Sequence, residues 1–255
     1  MLRYLKYDNL NIDEELIKIN NCKEVELVLE PNNKKCLFIL GMLFANGTKI
    51  KILNEKDLNL ETTNKSFSMM AYVWSRMGND DFPSYDYSNV KTEMDKRIAG
   101  FKQMGFGLHK ITNNPVDNRI FLICPVRNAT PEQRKWIEDF VVEKDEQGYS
   151  IYAPHIHTNQ KDALGGYNIC TDNSEAIALS EKINIYYDQT SAGSAFDLGV
   201  AYALHKPLEI LNREDIVFNE GNFIDNVVKD WPYSAKNKRM IYLDKNSNKY
   251  YNACE

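Results

Sequence analysis

Several things are scarce or missing in this chain, and each absence removes a class of protein. There is no run of Lys and Arg. With 31 basic against 36 acidic residues the net charge is −5 and the pI near 5.5, which leaves no general basic field for a phosphate backbone and disfavours extended nucleic acid. No segment approaches the roughly 20 apolar residues of a membrane span, and the first residues, MLRYLKYDNLNIDEE, lack the apolar stretch of a signal peptide. The expectation is a cytoplasmic protein with no membrane partner. Cysteine is sparse, odd in number and scattered (Cys22, Cys36, Cys124, Cys170, Cys254), with no C-x-x-C pair, so the thiols are expected to be reduced. His155 and His157 alternate on what reads as an extended segment, but no third ligand has metal-site spacing, and no metal is expected. What remains is 255 residues, 43% hydrophobic and 11% aromatic, enough for one substantial core or two small ones.

Residues that carry chemistry gather in one stretch, Ile183 to Asn212, reading INIYYDQTSAGSAFDLGVAYALHKPLEILN. Ile183 to Tyr187 is β-branched and aromatic and runs into Asp188, Gln189, Thr190, Ser191 and Gly193, the pattern of a buried strand ending in a polar loop. A helix is expected from Ser194, with Ser194 as its N-cap, Asp197 three residues on as a capping-box acid, and Phe196, Val200, Ala203 and Leu204 as its apolar face. It should stop at Lys206-Pro207, with Leu208 to Leu211 as the next strand. Such βαβ units bind small ligands at the carboxyl ends of their strands, here Asp188 to Asp197.

The first part of the chain reads as a degenerate copy of this stretch. Placing Gly41 opposite Gly199, an offset of 158 residues, aligns Val25 with Ile183 and continues without a gap to Asn54 and Asn212, with Trp74 falling near Trp231. Packing positions survive in the copy, but Lys35 stands opposite Gly193, Cys36 opposite Ser194 and Ile39 opposite Asp197. If Ser194 and Asp197 only capped a helix, both copies would want them. Residues 1–112 are therefore read as this copy plus a helical segment (SFSMMAYVWSRM and VKTEMDKRIAGFKQM, around a loop at Gly78 to Ser88), and 113–255 as the second domain. There, strands are expected at Arg119 to Cys124 and Tyr149 to Ala153, helices at Thr130 to Val142 and Asn173 to Leu179, and a polar loop from His155 to Tyr167. This order gives an α/β sandwich with a mostly parallel sheet.

Three blocks in order, FLICPVRN, NSEAIALSEKI and YYDQTSAGSAFDLGVAYALHKP, resemble the nucleoside 2-deoxyribosyltransferase family and its relatives, the nucleoside 5'-monophosphate N-glycosidases, over Arg119 to Asn212. The resemblance implies a flavodoxin-like domain that cleaves an N-glycosidic bond without metal or organic cofactor, working as a homodimer whose subunits complete each other's sites; the copy either takes that role within one chain or is an interface for the homodimer. It places the nucleophile at Asp197, a phosphate-holding serine at Ser191 where the transferases have an acid, and a phosphate-binding arginine at Arg127. Asp172 or Asn173 takes the family's sugar-orienting or proton-transferring position, register favouring Asn173. The family nucleophile is usually glutamate; Asp197 is one methylene shorter, and roughly 1 Å of misplacement can cost a hundredfold in rate.

From the residues themselves, a first-turn carboxylate can stabilise an oxocarbenium-like centre, while Ser191, Gly193 and Ser194 offer hydroxyls and backbone N–H groups to an anion. Cys124 and Pro125 at the first strand's end, His155 in its loop and Asp188 complete the expected substrate-binding set. The expected activity is hydrolysis, or transfer, at the N-glycosidic bond of a small nucleotide or nucleoside, and it requires Asp197 to face an open cleft. The alternatives are a nucleotide-binding module that does no chemistry, and cleavage of the nicotinamide bond of NAD by the same carboxylate.

Overall fold

The structure, a computed structural model, describes residues 2–8, 10–58, 60, 66–82, 92–126, 129–233, 240–244 and 249–253, the last two stretches in backbone only. It is an α/β protein with two parallel sheets flanked by helices. The first sheet holds β1 (Leu2–Tyr4), β2 (Glu24–Leu27) and β3 (Lys49–Ile52), in that order, joined through α1 (Ile12–Asn20) and α2 (Lys34–Ala45). The second holds β4 (Val116–Ile123), β5 (Ser150–Tyr152), β6 (Ser180–Ile185) and β7 (Leu208–Ile210), in the order β5-β4-β6-β7 with every neighbour parallel, an order consistent with a flavodoxin-like fold. Its helices are α5 (Pro131–Glu146), the single turn α6 (Pro154–His157), α7 (Tyr167–Leu179) and α8 (Ala192–Ala203). Between the two sheets in sequence come α3 (Phe67–Met77) and α4 (Glu93–Gln103). After β7 come α9 (Phe223–Lys229) and an antiparallel pair, β8 (Met240–Asp244) and β9 (Lys249–Ala253).

From Ile120 onward strand β4 is apolar on both faces. Phe121 and Ile123 point into the large core, whereas Ile120, Leu122 and Cys124 point into a smaller one under α5, as expected of a parallel strand covered on both sides. The large core crosses from one sheet to the other through α2 and α8. Every residue of α2 from Cys36 to Ala45 is buried, as is every residue of α8 from Ser194 to Tyr202, and a helix apolar on all sides has to be enclosed on all sides. Their backbones meet at two glycines. A Cβ on Gly41 would run into the carbonyl oxygen of Phe196, and one on Gly199 into that of Phe38, so the crossing exists only because both positions lack a side chain.

These contacts come in matched pairs. The 158-residue offset carries both ends of α2 onto both ends of α8, and the 3-10 turn Glu55–Asp57 onto Arg213–Asp215. Phe38 meets Tyr202 edge-on with ring centroids 5.6 Å apart, and the offset pair, Phe196 and Phe44, does the same at 5.5 Å. Trp74 packs on Phe44 as Trp231 packs on Tyr202. The Asn54 side chain clasps Leu29, accepting from its N–H at 2.8 Å and donating to its carbonyl at 3.0 Å; Asn212 clasps Tyr187 at the same two distances. Each pairing has the reciprocal form of a two-fold interface, in which residue i touches j and the equivalent of j touches the equivalent of i.

Four sequence expectations are corrected. Helix α8 starts one turn earlier than expected. Ser191 is its N-cap, accepting from the Ser194 N–H at 3.2 Å, and Asn33 caps α2 at the equivalent place. Asp197 therefore sits in the second turn and is no capping-box acid. Helix α7 starts at Tyr167, so Asp172 and Asn173 lie within it and neither is an N-cap. Asp162 covers its start instead, accepting from the N–H groups of Gly166 and Asn168 at 2.9 Å each. Finally, His155 and His157 belong to a helical turn and do not share a face.

Candidate functional site

The carboxyl ends of β4 and β6 and the start of α8 bring most of the expected residues into two groups. The first surrounds Asp197, which α8 turns inward, leaving it 8% exposed. Burial pushes its carboxyl up to about 7, the Asn173 side-chain amide opposing this by favouring the charged form. Asn173, on α7, is itself buried and held from behind: its Oδ1 accepts from the Thr158 hydroxyl at 2.8 Å, and the Tyr152 hydroxyl lies 2.9 Å from that of Thr158. With the amide oxygen occupied, the NH₂ is the group left to face Asp197. Cys124 lies close enough to feel that charge. Burial first, then Asp197, pushes its thiol up to about 12, which keeps it protonated at neutral pH and removes it as a nucleophile. The Cys124 sulfur is 3.9 Å from Nδ1 of His155, whose pKa burial lowers and whose buried Nε2 has no partner among the described residues. Pro125, next along, is also buried.

The second group is the turn from β6 into α8. The Asp188 carboxylate closes this turn, accepting from the N–H and the hydroxyl of Thr190 at 2.7 Å each, and the Ser194 hydroxyl donates to Ser191 Oγ at 2.8 Å. The Ser194 hydroxyl is thus committed to Ser191, whose Oγ accepts twice from Ser194. Gly193 is exposed, and a Cβ there would meet nothing within 4 Å, so the backbone of the first turn, whose N–H groups have no intrahelical acceptors, can be approached from outside.

Two candidates stand apart. Asp172 lines a cavity of about 570 Å³ on the other side of α7, and burial, then the charges of Glu175 and Asp162, raise its pKa. Arg127 lies outside the described residues. Asp197 lines neither this cavity nor a second one of about 420 Å³ between the N-terminal ends of α2 and α9, so the open cleft expected in front of it is corrected to a buried carboxyl that neither cavity reaches. Among the described residues no group of three or more His, Cys, Asp or Glu is placed to hold a metal ion, and no helix is long and apolar enough to cross a membrane.

Thr158 and Tyr152 are the partners that sequence reasoning missed as polar residues. Thr158 sits in what reads as a polar loop and Tyr152 at a strand position; only the fold brings the Thr158 hydroxyl to Asn173 and the Tyr152 hydroxyl to Thr158. Lys206 was missed too. It is 2% exposed, its Nζ donates to the carbonyls of Ala178 and Ser180, and burial lowers its pKa to about 8. It closes the end of α7 from a position that, in sequence, only marks the end of α8.

No family model, no curated protein and no solved structure matches the chain.

Proposed function

We propose that the chain cleaves the N-glycosidic bond of a small nucleotide, with Asp197 as nucleophile. One observation carries this reading: a buried carboxyl in α8, beside the carboxyl ends of two parallel strands, with an amide against it and no cation neutralising it among the described residues. Such a group is held near neutrality until positive charge develops next to it, and an oxocarbenium-like sugar supplies that charge in the transition state. An Asp197 oxygen bonds to the anomeric carbon while the carbon–nitrogen bond breaks, its electron pair leaving with the base, which takes up a proton from solvent. Water then opens the glycosyl ester, giving sugar phosphate, releasing a proton and returning the carboxylate; an acceptor base in place of water makes the reaction a transfer. Asn173 orients the carboxylate, the first turn of α8 faces the phosphate, and the resemblance gives Arg127 the same task. No organic cofactor enters. We read the N-terminal half as a degenerate copy that takes within one chain the place of a dimer partner; the matched α2 and α8 contacts support this.

Incubation with a panel of ribonucleotides, deoxyribonucleotides and NAD, followed by chromatography for free base, tests the reading. Base release should fall roughly 10³-fold or more in Asp197→Asn and, since the ionised form attacks, should rise with pH through about 7. No release from any member, or equal release by the variant, removes the proposal. A second reading, capture of a nucleotide without chemistry, is favoured by the 8% exposure of Asp197 and its absence from both cavity linings. Calorimetry with recovery of intact ligand distinguishes it from turnover.

A further inference from the structure

The cavity of about 570 Å³ lies where the segment after α4 passes over α7, within the range of small-molecule sites. Its two walls differ in kind. One is apolar and largely aromatic, with Phe101, Phe106, Leu108 and, from α7, Tyr167; the rings of Phe101 and Phe106 lie 5.3 Å apart, and Phe106 is 57% exposed at the mouth. The other is the polar stripe of α7. Most of that stripe is already satisfied: the Thr171 hydroxyl donates to the Tyr167 carbonyl at 3.0 Å, the Asn168 amide donates to Asp162 at 3.0 Å, and Glu175 is paired with His109 at 3.2 Å. Asp172 has no hydrogen bond or ion pair among the described residues, and its two acidic neighbours raise the energy of its charged form. No Lys or Arg lines the cavity.

We propose that this cavity binds a small aromatic amine, its ring against Phe101, Phe106 and Tyr167 and its ammonium on Asp172. An anion would meet Asp172 and Glu175 with no Lys or Arg to receive it and with His109 already turned to Glu175, which sets this site apart from one for nucleotides. A neutral ring would leave the Asp172 carboxylate without a partner. An ammonium satisfies that carboxylate, relieves its crowding with Glu175 and Asp162, and gains from the aromatic faces beside it. The inference stands on the cavity alone and does not depend on what Asp197 does.

Calorimetry on the full chain with four probes tests it: tryptamine, 3-methylindole as the uncharged ring, indole-3-propionate as the anionic ring, and spermidine as charge without a ring. Tryptamine should bind one per chain and at least tenfold more tightly than the other three. Asp172→Asn and Phe106→Ala, both at exposed positions, should each weaken it by about tenfold while the thermal midpoint without ligand stays near that of the parent. Absence of saturable tryptamine binding at millimolar concentration overturns the proposal. So does spermidine or 3-methylindole binding as tightly as tryptamine, or an Asp172→Asn affinity equal to the parent's.

Discussion

Replacing Asp197 by Asn should make the protein more stable at pH 8, and the reason is electrostatic. Burial holds the Asp197 carboxyl at about 7, against an ordinary value of 3.8. Between these pH values the folded state retains a proton that the unfolded chain has released. Stability therefore falls with rising pH, by up to about 1.4 kcal/mol per unit, and the stabilising contribution present below pH 3.8 is gone above pH 7. Over roughly three units this amounts to about 4 kcal/mol. Asn has the same shape and no charge to bury, so the variant keeps at pH 8 what the parent loses. We expect it to be roughly 2–4 kcal/mol more stable there, a rise in thermal midpoint of roughly 5–15 °C, and within about 1 kcal/mol of the parent at pH 4. Urea titrations of both proteins at half-unit steps from pH 4 to 8.5 measure this directly. A variant less stable than the parent at pH 8, or one that keeps the parent's slope between pH 4 and 7, would refute the argument. If the variant also loses turnover, the charge is retained for activity at the expense of stability.

Two further expectations concern packing. Gly41→Ala should cost at least about 2 kcal/mol in urea unfolding, because its Cβ meets the Phe196 carbonyl and forces α2 from α8; Gly100→Ala, in α4 with open space around it, should be neutral or stabilising by up to about 1 kcal/mol, and equal effects at the two positions would mean that the helices do not touch there. Lys206→Met should destabilise by roughly 1–3 kcal/mol, since it leaves the Ala178 and Ser180 carbonyls buried without their donor; a variant as stable as the parent would show that those carbonyls find another partner.

Much of the architecture was legible because the relevant signals are local. The apolar runs of β4 and β6, the Thr130-Pro131 start of α5, whose capping box with Gln133 forms as the residues imply, and the Gly41 and Gly199 alignment all lie within short windows. The errors fall where a decisive contact reaches across the chain. Ser191 and Ser194 are both good N-caps, and only the hydrogen bonds that converge on Ser191 Oγ choose between them. The start of α7 is set by Asp162, a carboxylate five residues before Tyr167 and folded back over the helix end, whereas the TDNS tetrapeptide has the composition of a cap and is none. The three-residue strand β1 is too short for a period to show. Likewise, Asp172 and Asn173 are neighbours of similar chemistry in the sequence, yet α7 sends one to the cavity and the other to Asp197.

The joining of α2 to α8 also bears on synthesis. A ribosome completes α2 158 residues before it completes α8, a delay of roughly 10–30 s at ordinary elongation rates. Throughout that interval a helix with ten consecutive residues destined for burial lacks the cover that α8 gives it, and another nascent chain's α8 would fit it as well as its own. Newly made protein should accordingly depend on a holding chaperone, and at high expression should cross-pair into dimers whose helices have exchanged chains.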